Sequence, residues 1–263
     1  LGTRLYRVDV PGEVVFDEFH FGKFLNWYLR GEYFFDIHPP LGKLVFWACA
    51  KIVGYQPGEF NYDRIGTAFP DGYKYAAIRR ATALLGSLCV PVMYLTARNF
   101  RMSIEASIVA TALILFDISY CIESRLILVD AQLILSCALA LLAMTQLWKT
   151  PRATPQRYLW IVLSGLACGA ALSVKWTGLA TPGLTGLVCL LGIYFPHNRR
   201  PIPFLQCVAI GAIGLAFYAS LWWLHFFLLD KTGDGDAFMS IDFQKTLIGG
   251  NFYDPKFPKQ NLF

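Results

Sequence analysis

Long stretches without a single charge constrain this chain more than any motif it carries. Residues 81–97, 131–148, 158–174, 176–196 and 201–229 contain no Asp, Glu, Lys or Arg, and a sixth run, 104–120, is interrupted only by Glu105 and Asp117. Each is near or above the roughly 17–25 residues that a helix needs to cross a bilayer. The expected fold is therefore an all-α integral membrane protein with about six crossings over residues 76–229. Composition agrees, since 56% of the 263 residues are hydrophobic and only 16% are charged, against about 25% charged in a soluble domain. A soluble enzyme is excluded on that balance, and the 16% aromatic content excludes disorder. The net charge of +5 is small and dispersed, so no nucleic-acid surface is expected. The seven cysteines stand mostly inside apolar runs without CxxC spacing, which fits neither a disulfide framework nor a zinc site.

The loops carry an orientation signal. Arg98 and Arg101, then Lys149, Arg152 and Arg157, then Arg199 and Arg200 fall in alternate connections, which are expected to be cytoplasmic. The intervening connections hold Asp117, Glu123 and Asp130 around Arg125, then Lys175 alone, then Asp230, Asp234 and Asp236 around Lys231. Residues 1–75 and 230–263 then lie on the lumenal or external side. The chain opens on Leu1 with no apolar leader run, and we expect it to be a fragment of a longer protein.

Residues 1–75 do not read as an ordinary loop. A helix started by Asp17 puts Phe21, Phe24, Leu25, Tyr28 and Leu29 on one stripe, with His20, Lys23, Asn26 and Arg30 opposite and Gly31 as a stop. This predicts an interfacial helix lying on the membrane. After His38-Pro39-Pro40, residues 41–53 form an apolar segment too short to span, read as re-entrant or interfacial. A polar loop with Pro-Gly and Pro-Asp-Gly turns follows.

The adjacent carboxylates Asp17 and Glu18, at a helix start on the outer membrane face, are the candidates for acid/base work; Asp17 is equally suited to be a helix N-cap. Arg79 and Arg80 stand at the outer mouth of the first crossing, where an Arg either anchors the helix or holds a lipid phosphate through paired hydrogen bonds. Arg125 and Asp130 bracket an apolar tetrapeptide and are candidates to line the same cavity. His38 is a candidate proton carrier or a turn-stabilising residue. Lys175-Trp176 resembles an interfacial belt pair. No metal is expected, since Asp17, Glu18 and Asp36 lack the spacing of a cation loop.

Five blocks carry a family resemblance. Residues 14–24 (VVFDEFHFGKF), 33–43 (YFFDIHPPLGK), 124–130 (SRLILVD) and 173–179 (SVKWTGL), and the closing stretch from Met239-Ser240 through Phe243-Gln244 to Gly250-Asn251, resemble the protein O-mannosyltransferases in the right order. The resemblance implies a GT-C type glycosyltransferase of the endoplasmic reticulum membrane. It would be an inverting enzyme that moves mannose from dolichyl-phosphate mannose to Ser or Thr hydroxyls of secretory proteins, and it would work as a homo- or heterodimer. No cofactor beyond the donor is implied, and the acceptor-side loop would be lumenal. The family also carries a crossing before the first block, and a lumenal domain and further crossings after the last; the chain would then be the N-terminal part of the catalytic unit. The resemblance and the chemistry together assign Asp17 as the base for the acceptor hydroxyl, with Glu18 orienting Asp17 or the acceptor. Arg79, or Arg80 one residue on, becomes the cation for the departing phosphate.

Three other readings remain open on sequence alone. A polyprenyl-phosphate-sugar transferase with a lipid or glycan acceptor shares the acidic loop, but the closing block leading to a lumenal segment favours a protein acceptor. A transporter would need charges at mid-membrane and repeat symmetry, whereas these charges sit at crossing ends. A catalytically silent subunit is disfavoured by the intact Asp17-Glu18 pair.

Overall fold

The computed structural model describes residues 1–58, 60–194 and 202–257. In chain order the helices are α1 (Gly2–Leu5), α2 (Glu18–Arg30), α3 (Leu41–Val53), α4 (Tyr75–Asn99), α5 (Ile104–Phe116), α6 (Ile118–Glu123), α7 (Asp130–Lys149), α8 (Pro155–Val174), α9 (Ala180–Tyr194), α10 (Phe204–Leu228) and α11 (Ile241–Gln244). Among the described residues there are isolated β-bridges but no strands.

Four helices, α4, α7, α8 and α10, are long and apolar enough to cross a membrane, while α5 is a shorter apolar helix. The 104–120 run does not form one helix. Asp117 turns its carboxylate onto the Tyr120 backbone N–H at 2.6 Å and so ends α5 and caps α6, an elbow inside the expected crossing. The 176–196 run likewise starts with a 3₁₀ turn over Trp176–Leu179 before α9. Arg199 and Arg200 lie outside the described residues.

Helix α8 is the centre of the bundle, packed on α7 and α10. Glycines let the backbones meet: a Cβ on Gly169 would lie 2.7 Å from the Gly214 carbonyl oxygen. At one end of α8, Arg157 is buried and donates to the Leu147 and Thr150 carbonyls and to Gln206, tying α7, α8 and α10 together. Asn99 bridges Thr145 and Lys149 at the same end. At the opposite end the N-terminal segment, the 117–130 connection, Lys175-Trp176 and the segment after α10 bond to one another. Arg125 donates to the Thr3 and Arg7 carbonyls, Trp176 Nε1 to the Ile37 carbonyl, and Lys231 N–H to the Gly31 carbonyl. The loops thus sort to two ends in the alternation their charges suggest. Outside the bundle the apolar surface is bare: of α10 only Ile210, Gly214 and His225 are buried, which suits lipid or further helices and not water.

The N-terminal segment departs from an interfacial helix. Helix α2 ends at Gly31 (φ 74°), as the sequence suggests, and α3, over the expected 41–53 segment, ends at Gly54 (φ 66°). Yet Asn26, expected on an exposed polar face, is buried and donates to the Phe60 carbonyl at 2.7 Å. The 54–74 loop folds over α2 and buries Tyr55, Tyr62, Phe69 and Tyr73. Gly22 makes room for it, because a Cβ there would stand 2.3 Å from the Tyr62 ring. Helix α2 is therefore sandwiched between α3 and this loop, so its expected polar face is partly covered by protein.

Candidate active site

Glu18 opens α2 and is fully buried, with four donors converging on its carboxylate. Arg79 Nε (2.7 Å) and the Ile127 N–H (2.9 Å) reach Oε1; Arg79 Nη2 (2.6 Å) and the Val15 N–H (3.0 Å) reach Oε2. Arg79 is equally committed. Its remaining N–H groups go to the carbonyls of Pro11 (2.6 Å), Glu13 (3.0 Å) and Val8 (3.5 Å), and its guanidinium stacks on Tyr75 and Phe69. A guanidinium has five N–H donors, and here all are used inside the protein. This corrects the expectation that Arg79 holds a phosphate: in this arrangement it has no donor to offer. The pair instead fastens four segments, 8–15, α2, α4 and 126–129, at one point. Arg80, on the other side of α4, is exposed and has no ion pair or hydrogen bond among the described residues.

Asp17 is the opposite case. It occupies the N-cap position of α2, but its side chain makes no cap hydrogen bond, and nothing among the described residues pairs with its carboxylate. The expected alternative role as a cap is thus not taken up. Phe16 before it adopts φ 50°, a left-handed conformation costing about 1–3 kcal/mol in a non-glycine residue. The partly exposed Asp17 carboxylate stands beside an immobilised Glu18.

Asp130 and Arg125 turn to different partners. Arg125 clamps the 3–7 segment, whereas Asp130, at the start of α7, pairs with Lys175 at 2.7 Å. The Lys175 side chain is 21% exposed, so this cation is mostly covered but still reaches solvent. Locally, Lys175 reads only as one of a belt pair with Trp176; its partner 45 residues away leaves no local signal.

His38 belongs to the same end. Trp176 Nε1 holds the neighbouring Ile37 carbonyl at 2.9 Å, and buried Lys43 ties down the turn by donating to the His38 and Pro39 carbonyls and to the Asp36 carboxylate. Partial burial lowers the His38 pKa below its ordinary value; Lys175 and Lys43 act in the same direction and Asp36 and Asp130 oppose it. His38 is therefore neutral at pH 7 and suited to hydrogen bonding. Beside it lies a cavity of about 100 Å³ between the 33–40 segment, the end of α10 and Met239. His225, unremarked as a functional residue in the sequence, forms part of its wall and is fixed by a 2.6 Å hydrogen bond with the Tyr28 hydroxyl. Among the described residues no three His, Cys, Asp or Glu side chains converge to hold a metal ion.

The sequence profile described as dolichyl-phosphate-mannose-protein mannosyltransferase matches residues 1–230, most of the chain. The chain belongs to that family. Among its relatives, dolichyl-phosphate-mannose–protein mannosyltransferase 4 of Schizosaccharomyces pombe is 39% identical over 93% of the chain, and mannosyltransferase 4 of Saccharomyces cerevisiae is 33% identical over 93%. Protein O-mannosyl-transferase 2 of Drosophila melanogaster is 30% identical over 98%. The fold is similar to a chain of the S. cerevisiae protein O-mannosyltransferase Pmt1-Pmt2 complex bound to the sugar donor, with TM-score 0.82 and 32% identity over 98% of this chain. This bears out an all-α membrane fold of the GT-C type. The chain spans about a third of the length of these relatives, 33% and 34% of the two mannosyltransferases 4 and 35% of the solved chain.

Proposed function

We propose that this chain is the N-terminal part of the catalytic unit of an enzyme that transfers mannose, with inversion, from dolichyl-phosphate mannose to Ser or Thr hydroxyls of secretory-pathway proteins. The observation that carries the reading is the contrast within the acidic pair: Glu18 is saturated by four donors, while the Asp17 carboxylate beside it is unbonded and partly exposed. Asp17 accepts the proton of the acceptor hydroxyl as its oxygen attacks the anomeric carbon; the bond from that carbon to the phosphate oxygen breaks, and dolichyl phosphate departs with the bonding electrons. The leaving group is already an anion, so the step needs a base and a cation more than a general acid. Glu18 is a positioning residue that fixes the first turn of α2, and with it Asp17, against Arg79 and 126–129.

With Arg79 fully engaged, the phosphate-side charge falls to Lys175, which spends one of its three donors on Asp130 and stands at the same end of the bundle. Arg80 is an exposed cation near that end. No metal or other cofactor enters the step. The six-crossing count, the lumenal placement of residues 1–75 and 230–263, and residence in the endoplasmic reticulum membrane belong to the same proposal. So does pairing with a second mannosyltransferase chain, in keeping with the two-protein complex to which the fold is similar.

The test is transfer of labelled mannose from dolichyl-phosphate mannose in membranes containing the full-length parent, with a Ser/Thr-rich peptide, a lipid and a glycan offered as acceptors. Transfer to the peptide is the expected outcome. Transfer to lipid or glycan alone would overturn the protein-acceptor reading, and transfer to none would favour a silent subunit.

A further inference from the structure

The cavity beside His38 is walled by aromatic and thioether groups: Tyr33, Phe34, Phe35, Trp222, Phe226 and Met239. Polar groups border it, namely Asp36, His38 and Lys43. Its walls are braced from behind. His225 is held by Tyr28, Tyr33 packs on Phe243 with ring centroids 4.9 Å apart, and Lys43 locks the backbone of residues 38 and 39. Its rim is not covered: the lining residue Phe35 is 49% exposed, and its ring stacks at 4.8 Å on Phe238, which lies outside the lining. A rigid apolar recess with an open aromatic rim suits a small apolar group presented by something larger.

Size decides what that group is. A cavity of about 150 Å³ takes one benzene molecule, so a recess of about 100 Å³ admits something smaller than benzene. A hexose, a six-membered ring with five further substituents, does not fit inside, and a polyprenyl chain would meet the Asp36, His38 and Lys43 edge. The branched side chain of Val or the ring carbons of Pro do fit. The recess also stands at the end of the bundle that carries the acidic pair: the 36–38 turn is fastened to Trp176, next to Lys175, which pairs with Asp130. Three residues before Asp130, the Ile127 N–H is bonded to Glu18, the neighbour of Asp17.

We infer that this recess is a specificity pocket that receives a Pro or Val side chain flanking the Ser or Thr to be modified in the acceptor polypeptide. The inference rests on the protein-acceptor reading above. The pocket selects on size, and Met239 is the wall residue through which the selection can be changed, because it contributes no bond to the catalytic pair or to Lys175.

The experiment measures mannose transfer to peptides with a single Thr, flanked on each side in turn by Gly, Val, Pro or Phe, in membranes containing the full-length parent. For wild type, KM at one flanking position should be at least about tenfold lower for Val or Pro than for Gly or Phe, the discrimination that a few methylenes in an apolar pocket give. Met239→Trp, which fills the recess, should abolish that preference while leaving transfer to the Gly-flanked peptide intact. Met239→Ala, which enlarges it, should bring the KM of the Phe-flanked peptide down; this arm decides should Met239→Trp lose transfer to every peptide. A wild type indifferent to the flanking residue, or Met239 variants that shift all peptides alike, overturns the pocket. So do Met239 variants that change the KM of the donor while keeping the peptide preference, which would assign the recess to the sugar. Absence of transfer from wild type to any peptide instead removes the reading on which the pocket rests.

Discussion

At the scale of single residues, adjacency in sequence hides opposite roles. Asp17 and Glu18 look alike as an acidic pair, as do Arg79 and Arg80, and only tertiary bonds separate them. Asp17 was legible as a candidate because its chemistry and place at a helix start are local. That Glu18 and Arg79 consume each other was not, since 61 residues separate them. Lys175 was underrated for the same reason. Replacing Lys175 by Ala should raise the donor KM and lower kcat together, because one phosphate is held in both ground and transition states; steady-state kinetics with dolichyl-phosphate mannose and an unchanged donor KM would count against the assignment. His38 carries a pH signature. Its folded-state pKa lies below its ordinary 6.5, so the folded protein binds fewer protons than the unfolded chain just below that pH. Its contribution to stability is therefore complete above about pH 6.5 and is lost as pH falls through the lowered folded value. Thermal unfolding of the detergent-solubilised protein should show a shallower acid slope in His38→Asn than in wild type, and equal slopes would contradict the placement.

At the scale of elements, terminators were readable and packing partners were not. Gly31 stops α2 where the sequence suggests, because a left-handed residue is a local demand, and Gly54 stops α3 in the same conformation. The elbow at Asp117 had a local sign as well, an acidic residue with cap chemistry inside an apolar run, but apolarity outweighed it in reading 104–120 as one crossing. The cover that the 54–74 loop lays on α2 had no periodic signal at all; its aromatics are spaced irregularly and meet only through the chain reversal. What joins these elements at the active end is the buried Glu18–Arg79 pair. Arg79→Ala would strand a buried carboxylate, with an expected loss of about 3–5 kcal/mol, measured as a fall in thermal stability before any assay of activity. A variant as stable as wild type would mean that the pair is not what fastens α4 to α2.

At the scale of the molecule, the alternation of loop charges and the alternation of loop contacts agree. Among the described residues, the Arg- and Lys-bearing connections meet around Arg157 and Asn99, and the acid-bearing ones meet the N-terminal segment through Arg125, Lys175 and Trp176. This agreement was legible because crossings and loop charge are properties of whole segments, insensitive to errors of a few residues. It can be tested with single substitutions, since the chain contains no N-x-[ST] sequon of its own. Ile65→Asn completes a sequon with Thr67, and Arg152→Asn one with Thr154. In endoplasmic reticulum membranes the first should gain a glycan removable by endoglycosidase and the second should not; the reverse pattern would invert the topology and take the acidic loop out of the lumen.

In the proposed mechanism everything turns on Asp17 as the base. The most direct measurement is the rate of mannose transfer to a Thr peptide by the full-length parent carrying Asp17→Asn, with donor binding and the amount of folded protein in the membrane measured alongside. Donor binding should persist while the rate falls by about 10²- to 10⁴-fold, the usual worth of a general base. A wild-type rate from the folded variant would contradict it.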